Sequence, residues 1–185
     1  MTEGGTRMIL DKKAVDTCMD RLAREILKKG GSFDDLAIIG IRRRGVPIAA
    51  RVAERIRELK GQSPRTGALD ITLYRDDLTL VAAQPVVSKT EIDYPIDGLR
   101  VVLCDDVLFT GRTVRAAMDA LLAIGRPARI ELAVLIDRGF RELPIEANYV
   151  AEHVDTTLHE VVKVHLAEID GADHVELITT DGEVK

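Results

Sequence analysis

Val101-Val102-Leu103-Cys104-Asp105-Asp106-Val107-Leu108-Phe109-Thr110-Gly111-Arg112-Thr113 reads as an apolar strand that ends in two acids and passes through a hydroxyl-rich glycine turn into a helix. Gly111 can take backbone angles closed to other residues, so the chain can pass close to a bound group there. The helix that follows opens with unpaired N–H groups, and these favour an anion. Thr110 and Thr113 add hydroxyl donors on either side of Arg112, while Asp105 and Asp106 suit sugar hydroxyls or a hydrated magnesium ion. On the local pattern alone, the acids also read as a solvated strand end and Thr110 as a simple helix cap.

Working outward, Asp11 can cap a helix whose apolar stripe is Val15, Cys18, Met19, Leu22 and Ile26, ending near Gly30-Gly31. Leu36 to Ile41 reads as a buried strand. Pro47 starts a second helix with Ile48, Val52, Ile56 and Leu59 on one side, and the loop from Gly61 to Gly67 separates it from a segment running from Ala68 to Tyr74. Val101 to Cys104 is a central strand. After Gly111 comes a helix with Val114, Ala117, Met118, Leu121 and Leu122 at helical spacing, and Glu131 to Ile136 is a further strand. Alternating strands and helices predict an α/β fold, a mostly parallel twisted sheet flanked by helices.

Ligands of such sheets collect at the carboxyl ends of the strands, and three charged turns fall there. Arg42-Arg43-Arg44-Gly45 follows the first strand, where backbone N–H groups beside guanidinium groups suit a pyrophosphate; a nucleic-acid patch or a soluble turn would use the same residues. Asp105 to Thr113 follows the second. Asp137-Arg138-Gly139-Phe140-Arg141 follows the third. Between the first two lies a polar stretch from Tyr74-Arg75 to Thr90, in which Leu80 to Ala83 and Val86 to Ser88 could pair as a short hairpin.

Composition agrees with one enzyme-sized domain over 1–185: the chain is 46% hydrophobic and 31% charged. No apolar run approaches the roughly 20 residues needed to cross a bilayer, and no secretory leader is legible, so a cytoplasmic protein without membrane contact is expected. Cys18 and Cys104 read as buried free thiols, and no zinc cluster is apparent.

The segment DDVLFTGRTVRAAMDAL (105–121) resembles the phosphoribosyl pyrophosphate motif of type I phosphoribosyltransferases, in the wording of bacterial pyrimidine operon attenuation regulators that also act as uracil phosphoribosyltransferases. LDITLYRDDL (69–78), DRGFRELPI (137–145) and GRPARIELAVLIDRG (125–139) match the same branch, and the likeness runs from Ile9-Leu10-Asp11 to Asp173-His174-Val175-Glu176-Leu177. The resemblance implies transfer of phosphoribose to uracil, giving UMP and pyrophosphate, with Mg2+ as cofactor and a homodimer or homotetramer as the assembly. It assigns Thr110, Gly111, Arg112 and Thr113 to the 5′-phosphate and Arg42, Arg43, Arg44 and Gly45 to the pyrophosphate. Asp105 and Asp106 would serve the ribose and, through water, the metal, and backbone groups of Ile136, Asp137 and Arg138 would read the base. The stretch 74–90 would be a flexible hood, closing to exclude water, with Arg75 following the pyrophosphate; an ordinary surface hairpin with Arg75 in a salt bridge is the alternative.

Two departures bear on mechanism. Phe140 stands where the family has histidine, and Phe109 where many relatives carry an acid near the base, so no side-chain general base is assigned. A regulator of this branch would also grip a pyrimidine operon leader RNA, which calls for a basic surface. This chain has net charge −5, and residues 143–185 hold ten acids against Lys163 and Lys185. Glu146 and Glu152 replace basic positions of the branch, and DRLAREILKK (20–29) departs from its usual wording. A chiefly RNA-binding attenuator that keeps the pocket as a nucleotide sensor, and an enzyme specific for a purine base, remain the other readings.

Overall fold

The computed structural model describes residues 5–76 and 89–182. In chain order the elements are β1 (Thr6–Leu10), α1 (Lys12–Lys28), β2 (Leu36–Ile41), α2 (Gly45–Lys60), β3 (Arg65–Leu69), a 3-10 turn (Thr72–Tyr74), β4 (Arg100–Leu108), α3 (Arg112–Ile124), β5 (Arg129–Asp137), β6 (Tyr149–His153), β7 (Glu160–His165), α4 (Ala167–Asp170) and β8 (His174–Thr179). Five strands form an all-parallel sheet in the order β3-β2-β4-β5-β6, and β1-β8-β7 form a small antiparallel sheet. The α/β expectation is met. Most of the expected hood, 77–88 with both of its hairpin strands, lies outside the described residues.

Strand alternation builds two cores. Leu36, Ile38, Val102, Cys104, Ala133 and Leu135 face α1 and α2, joined by Val162, Val164, Val175 and Leu177 of the small sheet. Ala37, Ile39, Ile41, Val101, Leu103, Leu132 and Val134 face α3. Asp11 caps α1 as expected, its carboxylate accepting the Ala14 N–H at 2.8 Å, and the whole predicted stripe of α1 is buried.

Several boundaries and faces differ from the sequence reading. The loop expected from Gly61 to Gly67 is shorter, because β3 already begins at Arg65, opposite Ala37 of β2, and the segment from Ala68 to Tyr74 holds only its end and the 3-10 turn. The central strand runs past Cys104 to Leu108, so both acids belong to the strand itself. Leu59 keeps the direction of its stripe but is exposed, as is every residue from Arg57 to Ser63. Leu122 is exposed because α3 rests on the sheet through Ala116, Ala117 and Ala120, and Leu122 lies about 140° round the helix from Ala117.

Glu131 ties the middle of the sheet to α1. Its carboxylate, 2% exposed, accepts from Arg100 Nε at 2.9 Å and Tyr149 Oη at 2.8 Å, with Lys29 Nζ at 3.4 Å. Burial works to raise its pKa, but the Tyr149 and Arg100 donors win and hold it below the usual carboxylate range. Arg100 also caps carbonyls of Ile26 and Gly30 at the end of α1.

Candidate functional site

Three turns meet at the carboxyl edge of adjacent strands β2, β4 and β5. The first, Arg42 to Gly45, leaves β2 and enters α2, and the Arg42–Arg43 peptide is cis. Only glycine fits at position 45: a Cβ there would overlap the Cys104 carbonyl oxygen and stand 3.4 Å from the Asp105 Cα. The start of α2 is thereby seated against β4, directly beside the acids. Arg42 is held by Glu91 at 2.9 Å and by the Lys89 carbonyl at 3.0 Å, and Arg44 by Asp170 at 2.8 Å. Arg43 is exposed and makes no side-chain hydrogen bond or ion pair among the described residues.

At the end of β4, Asp105 is 6% exposed, and its carboxylate accepts the Asp106 N–H at 3.0 Å. Burial, reinforced by the charge of Asp106, pushes the Asp105 pKa well above the ordinary aspartate value, while Arg75 pulls it down. Arg75 therefore acts electrostatically on this acid across the site. Asp106 is partly exposed, and its carboxylate accepts the Val107 N–H at 3.0 Å.

Gly111, at φ +91°, turns the chain into α3. The Thr110 carbonyl is clamped by the amides of Glu142 at 2.9 Å and Leu143 at 3.1 Å. This leaves the first-turn amides of Thr113 and Val114 without an acceptor among the described residues, the arrangement an anion would complete. The Arg112 guanidinium turns away to Asp76 at 2.7 Å and Glu142 at 2.5 Å, so its backbone, not its side chain, faces the turn. Arg115 reaches the Tyr74 carbonyl at 2.8 Å, fastening the segment that carries Arg75 to α3.

After β5, Ile136 is fully buried in the ladder. The Arg138 N–H donates to the Leu108 carbonyl at 3.1 Å, and the Asp137 carbonyl accepts from Val154 at 2.9 Å. These backbone groups serve the fold first; the Asp137 carbonyl keeps a second lone pair for a ligand. Arg138 is buried, its guanidinium carbon 4.2 Å from the Phe109 ring centroid and 5.9 Å from that of Phe140. Phe109 and Phe140 meet edge to face at 6.3 Å. Desolvation pulls the Arg138 pKa below the ordinary arginine value. Phe140, at φ +57°, is the one non-glycine residue in the left-handed region among those described, a conformation that costs about 1–2 kcal/mol and is retained here by the aromatic contact.

Sequence reasoning missed three features: the Glu142-Leu143 clamp on Thr110, the Phe109–Arg138–Phe140 stack, and the acids Asp76, Glu91 and Asp170 that hold the arginines. Of these only the stack had a local signal, two phenylalanines where polar residues are usual. A cavity of about 890 Å³ lies along α2 and β3, away from the three turns. One of about 620 Å³ is bounded by Asp137, Arg138, Gly139 and Arg141.

The phosphoribosyl transferase domain family matches residues 5–169. The "Bifunctional protein PyrR" of Pelotomaculum thermopropionicum is 53% identical over 172 residues, covering 93% of this chain and 95% of that protein. The protein of the same name from Deinococcus radiodurans is 52% identical, covering 91% and 92%. Among solved structures, a hypoxanthine phosphoribosyltransferase from Staphylococcus aureus superposes with TM-score 0.67 at 19% identity, covering 94% of this chain and 91% of that one. That of Trypanosoma cruzi gives 0.69 at 14%, covering 95% and 97%. These two likenesses establish the fold. The chain belongs to the phosphoribosyl transferase domain family and, within it, to the bifunctional PyrR branch.

Proposed function

We propose that this chain transfers phosphoribose from phosphoribosyl pyrophosphate to uracil, forming UMP and pyrophosphate, and that it also binds a pyrimidine operon leader RNA. The observation that carries the enzymatic reading is the meeting of three turns on neighbouring strands: cationic Arg42–Gly45, acidic Asp105–Asp106 with the open α3 amides, and the aromatic-lined Asp137–Arg138 segment.

In this reading the amides of Gly111 to Val114 and the hydroxyls of Thr110 and Thr113 hold the 5′-phosphate. Arg43 takes the pyrophosphate, with Arg42 and Arg44 exchanging their acidic partners for it. The C1–pyrophosphate bond breaks, the electron pair leaving with pyrophosphate, as the uracil nitrogen bonds to C1, and the proton of that nitrogen passes to the departing pyrophosphate or to water. Asp105 and Asp106 hold the ribose hydroxyls and stabilise positive charge on the sugar ring. No acid stands at Phe109, so positioning and charge do the work that a side-chain base does elsewhere. The donor set fits magnesium: two carboxylates, one buried and calling for a cation to offset its charge. Bound there, Mg2+ would neutralise the diphosphate.

UMP formation from uracil and phosphoribosyl pyrophosphate, followed chromatographically, tests this reading. Asp105→Asn and Asp106→Asn should each lower the rate by on the order of 100-fold. A folded protein that binds phosphoribosyl pyrophosphate yet makes no nucleotide with uracil at any Mg2+ concentration would leave only the sensor role.

The regulatory reading is favoured by the bifunctional name shared by the relatives. Glu152 pairs with Arg21 of α1 at 3.1 Å, which neutralises one of the cations available to RNA, and Glu146 is exposed nearby in sequence. Replacing both by lysine should raise affinity for a leader RNA in gel shifts and steepen its salt dependence by about 0.7–0.9 per new phosphate contact. An unchanged slope would place the RNA surface elsewhere.

A further inference from the structure

The small antiparallel sheet carries a cluster that the transferase site does not use. Val162, Val164, Val175 and Leu177 point into the core, so alternation sends Lys163, His165, His174 and Glu176 to the other face. His165 lies opposite His174 in the register, and Lys163 opposite Glu176. The two imidazoles stack with centroids 4.2 Å apart and planes inclined by 6°. His165 Nε2 is 2.9 Å from Glu176 Oε1, and one ligand atom from each of His165, His174 and Glu176 lies within 4.8 Å of the other two. All three side chains are partly shielded, His165 at 16% and Glu176 at 19% exposure.

We propose that His165, His174 and Glu176 bind one divalent transition-metal ion of the zinc type. Two imidazoles and one carboxylate form a donor set suited to zinc and its neighbours, whereas Mg2+ prefers oxygen donors throughout. Metal–ligand bonds of about 2.0–2.1 Å place tetrahedral donors roughly 3.3 Å apart. The His165–Glu176 pair needs to open only slightly, and His174 to close by rotating its side chain, because register already fixes both backbones. Water would fill the fourth position. Lys163, with Nζ 4.0 Å from Glu176, is the cation that the metal would replace.

The location gives such an ion something to act on. His165 and His174 flank the connection from Leu166 to Asp173, which holds Arg44 through Asp170 and Arg51 through Asp173 at 2.6 Å. A metal at its root would pin the segment that braces the Arg42–Gly45 turn.

The full chain, stripped with a chelator and kept in excess Mg2+, should bind one Zn2+ by calorimetry, and Co2+ should give the intense visible absorption of a four-coordinate site. His165→Gln and His174→Gln should each weaken Zn2+ by on the order of 100-fold or more, given that even outer-shell partners are worth 10- to 100-fold. Lys163→Met should preserve or tighten binding. Circular dichroism checks each fold, and Glu176→Gln serves as the third ligand variant should a histidine variant be unstable. Absence of stoichiometric Zn2+ binding by the unaltered chain overturns the proposal. Equal affinity in the ligand variants does so too, since the ion would then sit elsewhere, for instance at Asp105 and Asp106.

Discussion

Gly45→Ala disturbs the seating of α2 against β4, and with it the Arg42–Gly45 turn. The added methyl carbon overlaps the Cys104 carbonyl oxygen and comes within 3.1 Å of the carbonyl carbon and 3.4 Å of the Asp105 Cα. All three contacts are backbone atoms of a central strand paired on both sides, so the strand cannot yield and the helix start must retreat by about 1 Å. Overpacking of this kind costs about 1–3 kcal/mol of stability. The larger consequence is functional, because Arg42 to Arg44 move with the helix start while Asp105 stays. A misplacement of about 1 Å between groups that must act together can lower a rate by on the order of 100-fold. The assay is pyrophosphate release with uracil and phosphoribosyl pyrophosphate, beside urea denaturation of the same preparations. Gly182→Ala is the control, as a Cβ there meets nothing within 4 Å. Activity and stability of Gly45→Ala within a factor of two of the unaltered chain would refute the reasoning, since the turn could then be repositioned without loss.

Thr110→Val and Thr113→Val should weaken phosphoribosyl pyrophosphate and UMP alike by roughly 10- to 150-fold, the loss of one hydrogen bond to a charged group, whereas Arg43→Ala should hurt the pyrophosphate-bearing ligand more; calorimetry giving equal losses in Arg43→Ala would remove that arginine from the pyrophosphate site. Glu131→Gln leaves the Arg100 guanidinium, 13% exposed, without its counter-charge and should destabilise the fold by about 3–5 kcal/mol in urea melts; a loss below about 1 kcal/mol would mean that the network is solvated. Acidification should loosen the Asp137–Arg141 turn. Burial favours the neutral acid, yet Arg141 and the Gly139 amide hold the Asp137 pKa below its ordinary value. A depressed folded pKa gives stability that is complete above the unfolded value of about 3.9 and lost as pH falls through the folded one, so the stability difference between the unaltered chain and Asp137→Asn should shrink below about pH 4; a constant difference would discount the ion pair.

The parts of the fold legible in the sequence are those whose burial is continuous. β2, β4 and β5 read as apolar runs because both faces are covered. β3 did not, since Arg65 and Thr66 are exposed at the sheet edge and only pairing with β2 makes them a strand. Nor could the joining of β1 to β8 be foreseen, because residues 6–10 and 174–179 are brought together by the whole domain. At the site, the acids read as a strand end because carboxylates are rarely buried. The register of β4 with β5 continues to Leu108 opposite Asp137, and it is this pairing that carries Asp105 into the interior and gives Arg75 a charge to act on.

The sequence names the arginines of these turns but not their partners, and under the proposed function the partners bear on how an acidic chain would receive a polyanion. Glu91 holds Arg42, Asp170 holds Arg44, and Asp76 with Glu142 holds Arg112. The Arg112 pairs are about half exposed and individually weak, whereas Arg42 and the Arg44–Asp170 pair are more shielded, so a phosphate replaces Glu91 and Asp170 only by making charge-assisted bonds in their stead. Before the anion arrives, the acids keep guanidinium groups from repelling one another across a crowded edge. In the proposed reading Arg43, exposed and without such a partner among the described residues, is the cation open to first contact, and Arg42 and Arg44 follow by exchange. Removing one of the holding acids should therefore tighten the anion's binding and loosen the empty site, the opposite signs that separate a holding role from a direct contact with ligand.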